Sequence, residues 1–418
     1  MAVTANENAT AEPQMNQSGK RWQPSSLTII TTTSVLSKIA YWQLGIVVPL
    51  AVLDETDSVA TSLLVFALRG VAYVAAPFLG SLIDRFDKRT MFVGAQVEQA
   101  VCMVLAAAFL SSPWVLSVLL LVSGFGGVVS TITGQFVLIP RLIAPAERSV
   151  AIAKLTSAIE FSKVAGLLLG GVAFSAMSPR AATATVAVIY GAAGVAALLL
   201  PKMRQDSTHA SPKRSMSVGF SWLIRPQILW LVVTMSVANL AYGALETALV
   251  TLFASQGLDT FLVSVLVAIG LFAGGIGSRV GPHILPQRSA ERRIMFFLAL
   301  ALISLLITAI PRTVTEVIGF IGVSFCLGGS NVASITYRQE MIPLEVAGRV
   351  NAVIRMFILG AVPLSGVVYA WADGLGRELF WIPGIGAAFV SVVVWTWFAR
   401  RAGDSSNQVK AGPTEVSL

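Results

Sequence analysis

The sequence predicts an all-α polytopic membrane protein, with twelve transmembrane helices in two six-helix pseudo-repeats. Three observations carry that prediction. The 418 residues are 55% apolar and only 12% charged, a composition that would aggregate in water. Apolar runs of about twenty residues, the length a helix needs to cross a hydrocarbon core, recur along nearly the whole chain. The halves also match in short patterns: Ser130-Thr131-Ile132-Thr133 through Ile139-Pro140 aligns without a gap on Ala333-Ser334-Ile335-Thr336 through Ile342-Pro343.

In chain order, residues 1–25 read as a disordered cytoplasmic tail. They are polar, include Glu7 and Glu12, and lack the basic start, short apolar run and small-residue cleavage site of a secretory signal. Spans follow at about 26–52, 59–83, 90–111, 114–140, 150–176 and 180–201, a first bundle over 26–201. A polar break, with Lys202, Arg204, Asp206, Lys213 and Arg214, marks 202–225 as a cytoplasmic linker. The second bundle, 226–400, holds spans at about 226–254, 259–281, 293–311, 313–337, 349–372 and 378–400, and 401–418 is a polar cytoplasmic tail.

The net charge is +8, from 29 Lys and Arg against 21 Asp and Glu. Of those 29, 21 fall in the tails and alternate loops on the side of the N-terminus, and only Arg180, Arg312 and Arg377 fall on the other side. The positive-inside rule then puts both termini in the cytoplasm, with the chain in the cytoplasmic (inner) membrane. No Lys/Arg run interleaved with aromatics lies outside the spans, so nucleic acid is not an expected partner. Cys102 and Cys326 sit in apolar runs and read as small buried hydrophobes. An enzyme would need a nucleophile, metal or acid pair. His209 and His283 fall instead in predicted cytoplasmic loops, and no His/Cys/Asp cluster has metal spacing. Gly275-x-Gly277 follows no strand, and no phosphate-cradling Gly-Lys-Ser/Thr loop exists, so no cofactor is expected. Six-plus-six repeats are instead an architecture of secondary transporters, which bind a small molecule between the halves near the midplane.

The stretch Gly80 to Arg89 crowds charge between two apolar runs. An Asp at a helix C-terminus has the wrong sign for the helix dipole, so Asp84 needs a cation or another helix's N-terminus to answer it. The expectation is a cytoplasmic latch: Asp84 accepts from Arg85 or Arg89 and faces the start of the eleventh span near Gly348 and Arg349. Lys88 is expected at lipid headgroups.

Gly80, Leu82, Asp84, Arg85, Lys88 and Arg89 match the loop between spans two and three of the major facilitator superfamily, which this chain resembles over Thr28 to Arg400. Asp87 replaces the later glycine of that pattern. Ile342-Pro343-x-Glu345-x-x-Gly348-Arg349-Val350-Asn351-Ala352, followed by Pro363-Leu364-Ser365-Gly366, is similar to the drug-efflux and siderophore-exporter branch. The resemblance implies proton-coupled export of a small molecule by a monomer in the lipid bilayer, with proton-coupled uptake as the alternative. Two departures stand out. The antiporter motif of span five survives only as Gly166, Gly170 and Gly171, and Thr131, Thr133 and Gln135 stand where many drug/proton antiporters carry an arginine.

Charges inside spans are costly, about 2.5 kcal/mol or more each on insertion scales, and demand explanation. Lys154 and Arg355 fall near predicted cytoplasmic ends and can snorkel. Glu160 and Lys163, three apart, can neutralise each other. Lys38, Arg69 and Glu98 lack a partner on their own helix, and a pairing of Arg69 or Lys38 with Glu98 or Glu160 is the structural alternative to function; Glu246, deep in span seven toward the outer side, reads as part of an exit gate or of the outer headgroup layer. Glu98, Glu160 and Glu246 are the proton-coupling candidates. The resemblance assigns spans one, four, seven and ten to the cavity. Its candidates are Lys38, Tyr41, Gln43, Gln135, Asn239, Tyr242 and Asn331, with Arg69 beside them and Trp42 and Tyr337 more weakly placed. Lys38 and Arg69 favour an anionic or catecholate ligand, Glu98 and Glu246 a lipophilic cation.

Overall fold

The computed structural model describes residues 25–143, 147–202 and 212–410; the tail 1–24, loop residues 144–146, linker residues 203–211 and the end 411–418 lie outside the described residues. Strands are absent among the described residues, and each predicted span is a helix. They are α1 (Ser26–Thr56), α2 (Val59–Ile83), α3 (Lys88–Ala108), α4 (Pro113–Leu138), α5 (Arg148–Ala176) and α6 (Pro179–Ala197), then α7 (Pro226–Ser255), α8 (Thr260–His283), α9 (Ala290–Thr308), α10 (Thr313–Met341), α11 (Leu344–Gly360, continued by Val362–Asp373) and α12 (Ile382–Arg401). Eleven are long and apolar enough to cross a bilayer. The exception is α9, whose first turn holds Glu291, Arg292 and Arg293, so that its apolar stretch begins only at Ile294.

Caps and breakers set these ends. Ser25 and Ser58 cap α1 and α2 by accepting from the Thr28 and Thr61 amides, and Asp87 caps α3 by accepting from the Thr90 amide at 2.7 Å. Asp87, the departure from the superfamily loop, is therefore what starts the third helix. At the end of α4, Pro140 has no N–H and its ring would crowd the Phe136 carbonyl, and the backbone widens to a π-helical stretch over Thr133–Leu138. The matching Pro343 behaves differently: α10 ends at Met341, Ile342 is extended, and Pro343 leads into the next helix. The repeat seen in sequence thus covers two local structures.

Within the N-terminal six helices, α1 packs on α5 and α6, and α3 on α4 and α6; within the C-terminal six, α10 packs on α8 and α9, and α12 on α7 and α9. The two sets meet along α2 with α11, α5 with α8, and α1 with α7. The α5 glycines make one of these seams. A side chain at Gly166 or Gly170 would strike the backbone of α1 at Ile39 or Gln43, and one at Gly171 would strike Ser264 of α8.

The bundle has two unlike ends. At the end holding Thr56 and Ser255, here called distal, one apolar cluster joins both sets of helices, with Ile46, Leu50, Val59 and Leu63 packed with Leu245, Leu249, Leu252 and Phe253. At the proximal end, which carries the Gly80–Arg89 loop, the clusters are separate: Ile30, Phe92, Leu138 and Leu155 in the N-terminal set, Leu223, Ile228, Val350 and Ile354 in the C-terminal set.

A candidate site between the helix sets

The site is built on interruptions. A 3-10 turn at Ala72–Ala75 breaks α2, α7 breaks at Gly243–Ala244, and α11 breaks at Ala361 ahead of Pro363. Neighbouring side chains take up the released backbone groups, as a helix inside a membrane requires. The Ala244 amide donates to Ser365 Oγ at 2.9 Å, and the Ala241 carbonyl accepts from the Tyr369 hydroxyl at 2.6 Å. The Asn239 amide donates to the Ile358 carbonyl at 2.6 Å. Asn239 therefore ties α7 to α11, and Tyr242, buried beside it on α7, has no hydrogen-bond partner for its hydroxyl among the described residues.

Between α1, α2, α4 and α6 the charges gather. The Arg69 guanidinium stacks 3.7 Å from the Tyr41 ring centroid and donates to the Tyr41 carbonyl at 3.2 Å and the Tyr190 hydroxyl at 2.9 Å. Its Nε is buried with no partner, and no carboxylate lies within ion-pairing distance among the described residues. Lys38 Nζ donates to Thr131 Oγ1 at 3.1 Å and stands 5.1 Å from the same Tyr41 ring. Arg69, Lys163, Arg355 and Glu160 lie within electrostatic range of Lys38, and Tyr73, on the 3-10 turn, lies within range of Arg69 and Arg355. Glu98 in turn lies within range of Arg69 and Glu246 within range of Lys163, so four cations and three carboxylates share this region, with the tyrosines among them. Aromatic faces and hydroxyls soften an unpaired buried cation without neutralising it, and an arginine cannot shed its proton.

The carboxylates lie within range of these cations but not in contact with Lys38 or Arg69. Glu160 pairs with Lys163 at 2.7 Å on the same helix. Glu98 lies between α3 and α4, where only the missing side chain of Gly126 makes room for its Oε2, and Cys102 donates to Oε1 at 3.5 Å. Neither Arg69 nor Lys38 forms the direct carboxylate pairing given above as the structural alternative. Glu246 stands in the first turn after the α7 break, facing Gly45 and Phe66 of the other helix set, with no hydrogen bond among the described residues.

The remaining candidates disperse. Gln43 is buried and donates to Thr185 of α6 at 2.6 Å, inside the N-terminal set. Trp42 lies 5.7 Å from Lys163 Nζ, and Tyr337 is buried against Trp395. Gln135 is half-buried and Asn331 exposed near the middle of α10, neither with a hydrogen bond among the described residues. Arg355 stands farther along its helix than expected: the helix begins at Leu344, earlier than the predicted 349, so Arg355 sits about 16 Å along the axis, half-buried, and lies over Phe136 of α4 at 5.3 Å. Tyr73, Tyr190 and Thr131 complete the cluster. The only signal for the two tyrosines was a hydroxyl in an apolar run, which seeks a partner when buried.

In the proximal loop the Asp84 side chain lies outside the described residues. Arg89 donates to the Leu198 carbonyl at the end of α6, Arg85 is exposed, and a side chain at Gly80 or Gly348 would meet nothing within 4 Å. Arg349 is exposed, and its carbonyl lies against Gly219 of the linker helix Pro212–Leu223. Lys88 is not at the headgroups. It is buried and donates to the Ile83 and Phe86 carbonyls, because the last carbonyls of α2 lack partners of their own.

Residues 30–362 match the Major Facilitator Superfamily. The chain belongs to that superfamily. Solved structures agree in fold. The nucleoside transporter NupG superposes with a TM-score of 0.73 at 13% identity, covering 90% of this chain and 98% of its own. An inward-facing bacterial homologue of the iron transporter ferroportin gives 0.69 at 17% identity over 90% and 99%. A bacterial metal transporter gives 0.65 at 16% identity over 89% and 98%. No curated protein matches the chain in sequence. The chain is thus a multi-pass membrane transporter of this superfamily.

Proposed function

We propose that this transporter exports an anionic aromatic small molecule, of the catecholate siderophore or acidic drug type, across the cytoplasmic membrane in exchange for protons, working as a monomer with both termini in the cytoplasm. The observation that carries the reading is Arg69, stacked on Tyr41 and bonded to Tyr190 without a carboxylate in ion-pairing distance among the described residues, with Lys38 beside the same ring. Lys163 and Arg355 add positive charge, and Glu98, Glu160 and Glu246 within range offset part of it, which leaves an excess that an anion would balance. Among the described residues no three His, Cys, Asp or Glu side chains converge as a metal site would need. The split apolar clusters support an alternating-access cycle open at the proximal end, and the excess of Lys and Arg in that side's loops supports reading it as cytoplasmic.

In this reading Glu246 carries the proton. It is a carboxylate at the seam between the helix sets, beside a helix break, without a fixed partner. Glu98, wedged against Gly126, is second, and Glu160 is held by Lys163. The proximal latch, in the same reading, is carried by Asp84 and Arg85 with Gly80, Arg89, Gly348 and Arg349.

Purified protein in liposomes tests this with 2,3-dihydroxybenzoate and tetraphenylphosphonium as probes, against protein-free liposomes. An acidic lumen should drive accumulation of the catecholate, an uncoupler should abolish it, and Glu246→Gln should lose the gradient response while keeping catecholate exchange. Accumulation only from an acidic exterior would replace antiport by uptake symport. Preference for tetraphenylphosphonium would overturn the anion reading.

A further inference from the structure

Between the central cluster and the proximal end, two further arginines stand together in the C-terminal set. Arg338, in the last turn of α10, is half-buried, with Nε donating to the Ser334 carbonyl at 3.2 Å and Nη1 to Asn351 Oδ1 at 3.1 Å. Asn351 is fixed in turn by its own bond to the Ala347 carbonyl at 2.9 Å. Arg355 follows Asn351 by four residues, on the same face of α11, so the bond to Asn351 sets Arg338 beside Arg355. Neither arginine forms an ion pair among the described residues, and they lie within electrostatic range of one another.

The carboxylates of the central region do not answer this pair. Glu98 has Arg69 within range and Glu246 has Lys163, but neither has Arg355. Glu160 is held by Lys163, and Arg355 is the one charge within range of Arg338 among the described residues. Across from the pair stands Phe136, on the π-helical stretch of α4, 53% exposed with Arg355 over its ring at 5.3 Å. Irregular turns of this kind recur at functional sites. An open ring beside two unpaired guanidinium groups offers an aromatic anion both an apolar face and donors.

The pair also leads somewhere. Five residues deeper on α4, about 7 Å along its axis, Thr131 accepts from Lys38. Lys38 has both Arg355 and Arg69 within range. Arg338, Arg355, Lys38 and Arg69 are therefore successive steps from the last turn of α10 to the central tyrosines, and a row of one sign gathers and guides an anion. We propose that Arg355 and Phe136, with Arg338 behind them, form an entry subsite that receives a small aromatic anion on the proximal side and passes it to Lys38 and Arg69. The subsite presupposes the anion reading of the central site and adds a route to it. Arg355 meets the ligand in passing, so it governs the rate of association more than the final hold.

Stopped-flow tryptophan fluorescence with 2,3-dihydroxybenzoate and protein in lipid nanodiscs tests this. Arg355→Gln should slow association about tenfold at low salt, with dissociation within about twofold of wild type, and high salt should shrink the difference. Arg355→Lys should restore most of the rate, and Phe136→Leu should slow it about threefold through loss of the ring. Arg69→Met should instead act mainly on dissociation. Unchanged association in Arg355→Gln, or Arg355→Lys as slow as Arg355→Gln, would overturn the entry subsite and leave the central site standing. Absence of catecholate binding to the wild-type protein would overturn the anion reading and the subsite with it.

Discussion

The two helix sets share a fold and divide its chemistry. The N-terminal set carries Lys38, Arg69, Glu98, Glu160 and Lys163 inside its helices, and beside its aliphatic clusters it holds them by hydrogen bonds, an ion pair and cation–ring stacks. The C-terminal set is an aromatic core. Trp381, Trp395, Tyr337, Tyr369, Phe297 and Phe380 are fully buried, with ring centroids 4.8 Å apart for Phe380 and Trp381 and 5.7 Å for Tyr337 and Trp395. Of the charges in this second set, Glu316 is matched by Arg377, and Arg338 donates to the Ser334 carbonyl and to Asn351. The difference is one of composition: most charges inside helices belong to the N-terminal set, with only Arg355 and Glu246 of the other set reaching the same region, and most of the large buried aromatics belong to the C-terminal set.

The hardest blow to that contrast falls on the aromatic side. Trp395 is buried between Tyr337 and Phe398 and donates through Nε1 to the Glu291 carbonyl at 2.9 Å, locking α12 to α9. Trp395→Ala should lower stability by about 3–5 kcal/mol, as a cavity and a lost hydrogen bond do. Thermal unfolding in detergent measures it. Protein that remains folded should bind 2,3-dihydroxybenzoate with unchanged affinity; a matching loss of affinity would mean that the aromatic core shapes the site after all.

On the charged side the largest effect belongs to Arg69. Arg69→Met removes a stacked, two-pronged donor, and catecholate affinity should fall about a hundredfold, the equivalent of about 2–3 kcal/mol. Arg69→Lys keeps the charge but cannot both stack and fork, so it should recover only part of the loss. Full recovery by lysine would reduce the site to net charge alone.

A milder contrast lies in the proximal turns. Asp87 caps α3 with hydrogen bonds to both the amide and the hydroxyl of Thr90, whereas Ser289, at the corresponding start of α9, caps nothing with its side chain. Asp87→Ala should cost about 1 kcal/mol and Ser289→Ala a few tenths at most, read from the same unfolding curves. Equal costs would show that the charged loop is no better built than its degraded counterpart.

What was legible in the residues follows the physics of each signal. Bilayer-length apolar runs announce helices regardless of partners, so every predicted span is found, α9 included. Their ends depend on caps, and a start at Leu344 rather than 349 was enough to set Arg355 farther along its helix, half-buried over Phe136. Charges stand out in apolar sequence, so Lys38, Arg69 and Glu246 could be singled out. What they face could not. Gln43 and Tyr41 are two residues apart on α1, yet one turns into the α1–α6 seam and the other carries the arginine. The Glu316–Arg377 pair joins a helix start to a distant loop, and no local pattern connects them.

The smallest effect separates a structural pair from a tuning one. Glu160 and Lys163 are neighbours on one helix turn, both partly exposed, and an exposed pair of that kind stabilises by only about 0.3–0.5 kcal/mol. Neutralising either should barely move the unfolding temperature. Their effects on anion binding should have opposite signs, because both lie within range of Lys38. Glu160→Gln removes the carboxylate within range of Lys38 and should tighten 2,3-dihydroxybenzoate binding about two- to threefold; Lys163→Gln should weaken it by a similar factor, with the difference shrinking at high salt. The double variant should return to the wild-type affinity, since it removes one charge of each sign. Affinities that move together would mean that the pair shapes helix packing at the seam of α5, with the ligand insensitive to the field, and the charge contrast between the two helix sets would then rest on Lys38 and Arg69 alone.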